Sequence, residues 1–290
     1  MNAEYRRISD YYPLYVYCKR IKGAVPYWLD ADYALWKTSF AADTDYDGDR
    51  MFRELITYTA EFDGKIVGFI QFGIPWFLYD GSGKKSDVIK GGIIRNLYFD
   101  PEYDIGNELI RLAQTYFEEN CIQRKFAFFH AFGMTCNAGH GKLHCSLSHI
   151  EQALAEFGYG KEHENVYYKR LLGEADRCAE CGVTIAYQPA NPKGLCGFSI
   201  SAQGEKVGAG ALVYLPQGDM CYLKWIYIER PEQGKGYASA ALRRIFADLA
   251  EKGICRIDTD TAEKNHIAQR LYRKTGFEDM GRTRSYWVQA

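Results

Sequence analysis

Three landmarks occur twice along this chain, in the same order. Lys65-Ile66-Val67-Gly68 lies between the apolar runs TYTAEF and FIQFGI, and Lys206-Val207-Gly208 lies between GFSIS and AGALVYL. Both predict hairpins with a Gly-containing turn and alternating flanks. IIRNLYFDPEYDIGNELIRLAQTYF then parallels LKWIYIERPEQGKGYASAALRRIFADL. Each is a β-rich run, a Pro-Glu pair, a glycine turn and apolar residues at helical spacing. Finally SHIEQALAEFGY parallels NHIAQRLYRKTGF, each soon followed by an aromatic strand. The offset between matched positions falls from 140 (Gly68 to Gly208) through 130 (Pro101 to Pro231) to 117 (His149 to His266). The first copy therefore carries extra residues, which usually lie in surface loops. Any α/β chain shows some strand–turn–helix echoes; three landmarks in one order argue for two copies of an α/β unit. The expected domains are 1–172 and 173–290, joined near Leu172–Cys181.

A length of 290 residues allows two domains of about 145 each. Lys plus Arg number 36 against 37 Asp plus Glu, which builds no strong positive field and argues against nucleic-acid binding. No run reaches 18 apolar residues, so no ordinary membrane helix is expected. The start lacks a basic region followed by an apolar one and does not read as a secretory signal. Nine cysteines at scattered spacings fit reduced thiols better than a disulfide framework, so a cytoplasmic chain is expected.

The second copy holds the motif with most chemistry. Gln233-Gly234-Lys235-Gly236-Tyr237-Ala238 follows a strand (Tyr222–Ile228) and opens a helix with Ala241, Leu242, Ile245 and Leu249 on one face. Glycines there let successive backbone N–H groups turn toward one point without Cβ obstruction. With the positive end of the helix dipole, they form a pyrophosphate cradle. Lys235 adds a positive charge or is simply solvated. Lys235 lies between the glycines, so the P-loop pattern fails; Ser239 stands where a dinucleotide fingerprint needs its third glycine.

The pattern Gln-x-x-Gly-x-Ala after a strand is followed by a strand (Ile254–Asp258), Asn265, Ala268, Leu271-Tyr272, Lys274 and Gly276-Phe277. This resembles the GCN5-related N-acetyltransferase (GNAT) superfamily, specifically over Tyr222–Phe277 and more loosely over 183–290. The internal repeat extends a degraded form of the same unit over 1–172. The resemblance implies two α/β (α+β) domains, each a mixed, twisted, mainly antiparallel sheet flanked by helices. It implies that Ile226, Tyr227 and Ile228 offer backbone groups to pantetheine. Gln233, Gly234, Lys235, Gly236, Tyr237 and Ala238 would cradle the pyrophosphate, with Ser239 at the helix start. Asn265 would contact the cofactor arm, although Asn also serves as an N-cap. Tyr272 would protonate the departing thiolate; its alternative is packing on an amphipathic helix. Histone-type members carry a Glu at the position of Tyr222, so that base is missing; Glu229 and Asp219 are nearby, and a water relay is open.

In the first copy, Tyr103 or Asp104 stands at the Gln233 position, according to register, and Glu108 at the Ala238 position. A carboxylate there repels phosphate, and no tyrosine stands at the Tyr272 position. The first half is expected not to bind CoA. Its insertion holds Cys136, His140, His144 and Cys145, and the linker holds Cys178 and Cys181. These are zinc-ligand types at unfamiliar spacings, read as a polar loop and unpaired thiols with metal as the alternative. Trp76, Phe77 and Tyr79 are expected to pack between domains or to line an acceptor pocket. The resemblance thus implies an enzyme that moves acetyl from acetyl-CoA to a primary amine of a small molecule or peptide. The alternative is a non-catalytic acyl-CoA-binding or regulatory module.

Overall fold

The computed structural model describes residues 3–41, 44–79, 84–178 and 182–288. They form two units, Met1–Glu164 with Thr283–Ala290, and Asn165–Arg282. The elements are β1 (Glu4–Arg7), α1 (Tyr12–Ile21), α2 (Tyr33–Ala41), β2 (Phe52–Phe62), β3 (Lys65–Pro75), β4 (Leu78–Tyr79), β5 (Lys85–Ser86), β6 (Gly91–Phe99), α3 (Gly106–Glu119), β7 (Arg124–Ala127), β8 (Leu143–His144), α4 (Ser148–Glu156) and β9 (Tyr159–Leu171). There follow β10 (Thr184–Tyr187), β11 (Leu195–Ala202), β12 (Glu205–Tyr214), β13 (Met220–Ile228), α5 (Tyr237–Glu251), β14 (Arg256–Ala262), α6 (His266–Lys274) and β15 (Glu278–Val288). This is a mixed α/β chain with mostly antiparallel pairing, and among the described residues no helix is long and apolar enough to cross a membrane.

In the first unit β1, β2, β3 and β6 pair antiparallel in that order, and β6 pairs β7 in parallel. In the second, β10, β11, β12 and β13 pair antiparallel and β13 pairs β14 in parallel. The matching ladders repeat the same irregularity. Register slips between Gln71 and Phe72 opposite β6, and between Ala211 and Leu212 opposite β13, leaving Arg95 and Lys224 as extra residues. A bulge of this kind bends its strand and raises the local twist.

Each unit is completed by a strand from the other half of the sequence. Residues 165–171 of β9 run antiparallel to β14, Arg256 opposite Leu171 and Ala262 opposite Asn165. Tyr286 and Trp287 of β15 pair with Ala127 and Phe126 of β7. The observed units therefore divide at 164/165 and 282/283, not at the expected 172/173. Period-2 alternation shows which face of a strand is apolar and says nothing about which edge it will join.

The hairpin turns also sit elsewhere than expected. Asp63-Gly64 and Gln203-Gly204 all have positive φ, the conformation that two-residue hairpin turns need. Gly68 and Gly208 lie inside strands, where a Cβ would meet Phe99 Cβ at 2.6 Å and the Tyr227 carbonyl oxygen at 2.4 Å. They are conserved between the copies as close-approach points. Asp100 N–H donates to Val67 O (2.8 Å) and Glu229 N–H to Val207 O (2.9 Å), so Pro101 corresponds to Arg230, one residue off the Pro-Glu alignment.

The helices form where apolar residues recur at 3–4 spacing. Leu109, Ile110, Ala113 and Phe117 of α3 are buried in the first core. Ala241, Leu242, Ile245, Phe246 and Leu249 of α5 are buried in the second with Val166, Ile257 and Tyr272. At about 1.5–3 kcal/mol per fully buried large side chain, such faces hold the helices to their sheets.

Candidate functional site

In the second unit the parallel ladder of β13 with β14 runs from Met220↔Arg256 to Leu223↔Thr259 and ends there. β13 continues to Ile228, paired on its other side with β12 up to Gly208. The strands thus part after Leu223, and the segment 224–228 has an edge that β14 does not cover. Ile226 and Ile228 are half-buried, whereas Trp225 and Tyr227 are exposed and stack at 5.8 Å. The bulge at Lys224 marks where the parting begins.

The β13–α5 turn lies beyond this edge. Gly234 (φ +80°) and Gly236 (φ +88°) are both left-handed, and nothing lies within 4 Å of where a Cβ would stand at either. Gly236 is the N-cap of α5, so no side-chain oxygen caps the helix, and no acid occupies its first turn. The first N–H groups of any helix lack intrahelical partners. Here they begin at Tyr237, Ala238 and Ser239, since Ala240 N–H is the first to reach back, to Gly236 O. The Gln233 side chain donates to Ile228 O at 2.9 Å and ties the turn to the strand end. Lys235 pairs at the surface with Glu232 at 3.0 Å. Open left-handed glycines before an uncapped, acid-free helix start form an anion cradle, and these residues fit a pyrophosphate.

Tyr272 lies on α6 and is 4% exposed. Its ring meets Tyr168 and Phe277, each at 5.4 Å, and the Thr259 side chain is among the groups near its hydroxyl. Thr259 in turn donates to Leu223 O at 2.9 Å. The phenol thus lies near the last rung of the ladder, where the strands part. Burial, followed by the Asp260 charge, holds its pKa above the ordinary tyrosine value. Tyr272 thus packs within the second core.

Asn265 is the N-cap of α6: its Oδ1 accepts from Ala268 N–H at 3.2 Å and its Nδ2 donates to Thr261 Oγ1 at 3.1 Å. Glu229 is exposed and accepts from the Tyr227 hydroxyl at 3.2 Å, and Asp219 lies before the opposite end of β13. Neither reaches the parting point through the hydrogen bonds seen. A carboxylate that sequence reasoning passed over does. Asp260 is the first residue of β14 beyond the last rung and accepts from the Tyr222 hydroxyl at 2.7 Å. Its signal in the sequence is Ile-Asp-Thr-Asp-Thr, acids placed inside a strand.

The first unit is built differently at the matching points. Its β6–β7 ladder also ends early, at Ile94↔Ala127. Beyond it, Arg95 is 2% exposed and donates to the carbonyls of Phe132 (2.8 Å), Gly133 (3.1 Å), Ser39 and Phe40 (both 3.2 Å). The turn into α3 contains no left-handed glycine. Ile105, buried at 4%, is the N-cap in place of Gly236, and a Cβ on Gly106 would meet Phe99 Cζ at 2.6 Å. Side chains fill this turn.

The zinc-ligand types of the insertion do not converge. Cys136 Sγ contacts Asn137 Oδ1, His144 Nδ1 bonds Ser146 Oγ at 2.7 Å, and the rings of His140 and His144 pack against Tyr27. Among the described residues, Asp45, Asp47 and Asp49 alone have the proximity a metal would need. Lys85 Nζ already lies 2.5, 2.8 and 2.6 Å from them. Cys181 lies outside the described residues, and so does the expectation of unpaired thiols at Cys178 and Cys181. Phe77 and Tyr79 pack on Phe132 within the first unit, which corrects the expectation of packing between domains; Trp76 is exposed beneath Arg53.

Residues 155–277 match the model of the acetyltransferase (GNAT) family. No curated protein matches the chain in sequence. Among solved structures, a tandem GNAT protein from the clavulanic acid biosynthesis pathway is similar at 12% identity and a TM-score of 0.59, with 99% of this chain and 98% of that one covered. A GCN5-related N-acetyltransferase from Sphaerobacter thermophilus is similar at 12% identity and a TM-score of 0.62, with 98% and 95% covered. A GNAT-family acetyltransferase from Colwellia psychrerythraea is 14% identical with a TM-score of 0.52, covering 99% of this chain and all of that one. With ladder, bulge and parting strands repeated in both units, the chain has the tandem GNAT fold, and residues 155–277 match the GNAT family model.

Proposed function

We propose that the protein is an N-acetyltransferase that uses acetyl-CoA and a primary amine of a small molecule or peptide, and that its second unit is the working site. The observation that carries this reading is the open turn at Gly234 and Gly236 in front of an uncapped helix, adjoining the uncovered edge of β13. Backbone N–H groups from Tyr237 to Ser239 hold the pyrophosphate, and the free edge at Ile226–Ile228 takes the amide-bearing arm as a further strand. When bound, acetyl-CoA supplies the activated acyl group. The N–H groups of the uncovered edge stabilise negative charge on the acyl oxygen. Tyr272, kept protonated by burial, donates to the leaving sulfur. Asn265 holds α6 in place as its cap, whatever else it touches.

In this reading the first unit does not bind CoA, because Ile105 and Phe99 fill its turn and Arg95 occupies the parting of its strands. A cytoplasmic setting agrees with Cys18, Cys121, Cys136, Cys145, Cys196, Cys221 and Cys255, none of which forms a disulfide. The test is calorimetric titration of the full chain with acetyl-CoA, followed by thiol release with a panel of primary amines. Binding at one site with amine-dependent release supports the reading. Binding without release on any amine supports the regulatory module instead, and absence of binding refutes both.

A further inference from the structure

We propose that the first unit binds a small aromatic carboxamide in a cavity of its own; this does not rest on the acetyl-transfer reading. The cavity, of about 30 Å³, is bounded by α1, the segment after it, α2, the strands β3 and β6, and the turn at 134–137. Such a volume takes about two or three water-sized groups, the size of one carboxamide head. Its walls include the rings of Tyr15, Trp28, Trp36, Phe40 and Phe69. These walls are tied in place. Trp36 and Phe40 stack at 4.6 Å on α2, and Tyr15 of α1 meets Trp36 at 5.4 Å. Helix α1 is pinned through Asp100, which accepts from the Tyr17 hydroxyl at 3.2 Å and pairs with Arg20 at 2.7 Å. Lys19 and Lys22, whose side chains are 39% and 41% exposed, mark where the cavity opens.

Two buried side-chain amides line this cavity, Asn96 at 8% exposure and Asn137 at 7%. Hydrogen bonds fix which way each amide faces. The Phe40 carbonyl can only accept, so the Gln71 atom that meets it at 2.9 Å is Nε2. Gln71 Oε1 is then the atom that accepts from Asn96 Nδ2, at 2.9 Å. Asn96 Oδ1 is thereby turned from Gln71, and among the described residues it takes no donor. The Leu29 N–H can only donate, so the Asn137 atom it meets at 3.3 Å is Oδ1. The Cys136 thiol lies against the same oxygen at 3.9 Å. Asn137 Nδ2 is left with no acceptor among the described residues. The cavity thus presents one fixed acceptor and one fixed donor.

Buried polar groups are costly when unpaired, so the pair selects a head that offers a donor to Asn96 and an acceptor to Asn137. A carboxylate only accepts and an ammonium only donates, whereas a carboxamide does both from adjacent atoms. The head is flat and neutral, and the surrounding rings take an aromatic body attached to it. Lys19 and Lys22 both pair with Asp30, so the opening asks for no anion.

The experiment uses the full chain without acetyl-CoA and benzamide as the probe, with benzoate and benzylamine as ring-matched controls. Binding is read by calorimetric titration and by NMR of the indole N–H groups of the five tryptophans, assigned by single Trp→Phe substitutions. Benzamide should bind at one site at least about tenfold more tightly than either control, since each control leaves one buried amide unpaired. It should shift Trp28 and Trp36 and leave Trp76, Trp225 and Trp287 in place. Asn137→Asp keeps the acceptor for Leu29 and exchanges the donor for a second acceptor. The preference should then reverse, benzamide losing about tenfold and benzylamine gaining about as much. A merely structural Asn137 would weaken all three probes alike. Should Asn137→Asp fail to fold, the order of wild-type affinities and the two tryptophan signals decide the matter. No binding up to the solubility limit of benzamide, equal affinity for the three probes, or shifts at Trp225 in place of Trp28 and Trp36 would overturn this proposal. None of those results bears on acetyl-CoA binding, so the transfer reading stands or falls separately.

Discussion

Gly236 offers a substitution pair whose effects on folding and on binding run in opposite orders. At φ +88° any L-residue is strained by about 1–2 kcal/mol, although nothing within 4 Å obstructs its Cβ. Gly236→Ala should therefore lower stability by about that amount and disturb acetyl-CoA binding only through the backbone. Gly236→Asp carries the same strain but adds a carboxylate at the start of α5, where the helix dipole returns about 0.3–1 kcal/mol. Its fold should be the more stable of the two. For binding the order reverses, because the new charge faces the pyrophosphate. Unit charges about 4 Å apart repel by about 1 kcal/mol in bulk water and about 4 kcal/mol at the effective dielectric near a protein surface. Gly236→Asp should thus weaken acetyl-CoA by at least about tenfold beyond Gly236→Ala, and the excess should shrink in concentrated salt. Urea denaturation and calorimetric titration at two salt concentrations read both effects. Equal affinity losses in the two variants would mean that backbone strain, not charge, carries the effect, and wild-type affinity in Gly236→Asp would remove the cradle from this site.

Tyr272→Phe keeps the buried ring and removes the proton, so kcat should fall by about 10²–10⁴-fold while acetyl-CoA Kd holds; unchanged turnover across pH would reduce Tyr272 to packing. Because its pKa is raised, the wild-type enzyme should show no alkaline loss from this group below the ordinary phenol range, and a loss between pH 7 and 9 traced to Tyr272 would contradict that. Gly208→Ala drives a Cβ into the Tyr227 carbonyl oxygen, at 2.4 Å, and should cost about 1–3 kcal/mol by urea denaturation; a neutral result would mean that β13 moves freely. Native alkylation should modify Cys121 and Cys255, which are exposed, and spare Cys221, buried and pushed up to about 12, and Cys18, raised by burial. Rapid labelling of Cys221 in the folded protein would refute its burial.

Local patterns and tertiary packing divided the determination of this protein between them. The repeated strand–turn–helix order, the glycines at 234 and 236, and the apolar faces of α3 and α5 were legible because each depends on residues within a few positions of one another. Even there, the turns at Asp63-Gly64 and Gln203-Gly204 lay a few residues before the glycines that drew attention. Gly68 and Gly208 mark close contact with strands about 20–30 positions away, and a Cβ's obstruction is visible only once those strands are in place. The exchange of 165–171 and 283–288 between units was not legible at all, since backbone hydrogen bonds along a strand edge carry no address. The pairing of Tyr222 with Asp260 is of the same kind. Two polar residues in separate strands read as scattered chemistry until a parallel register brings them to 2.7 Å, and register is decided by the burial of whole faces rather than by either residue.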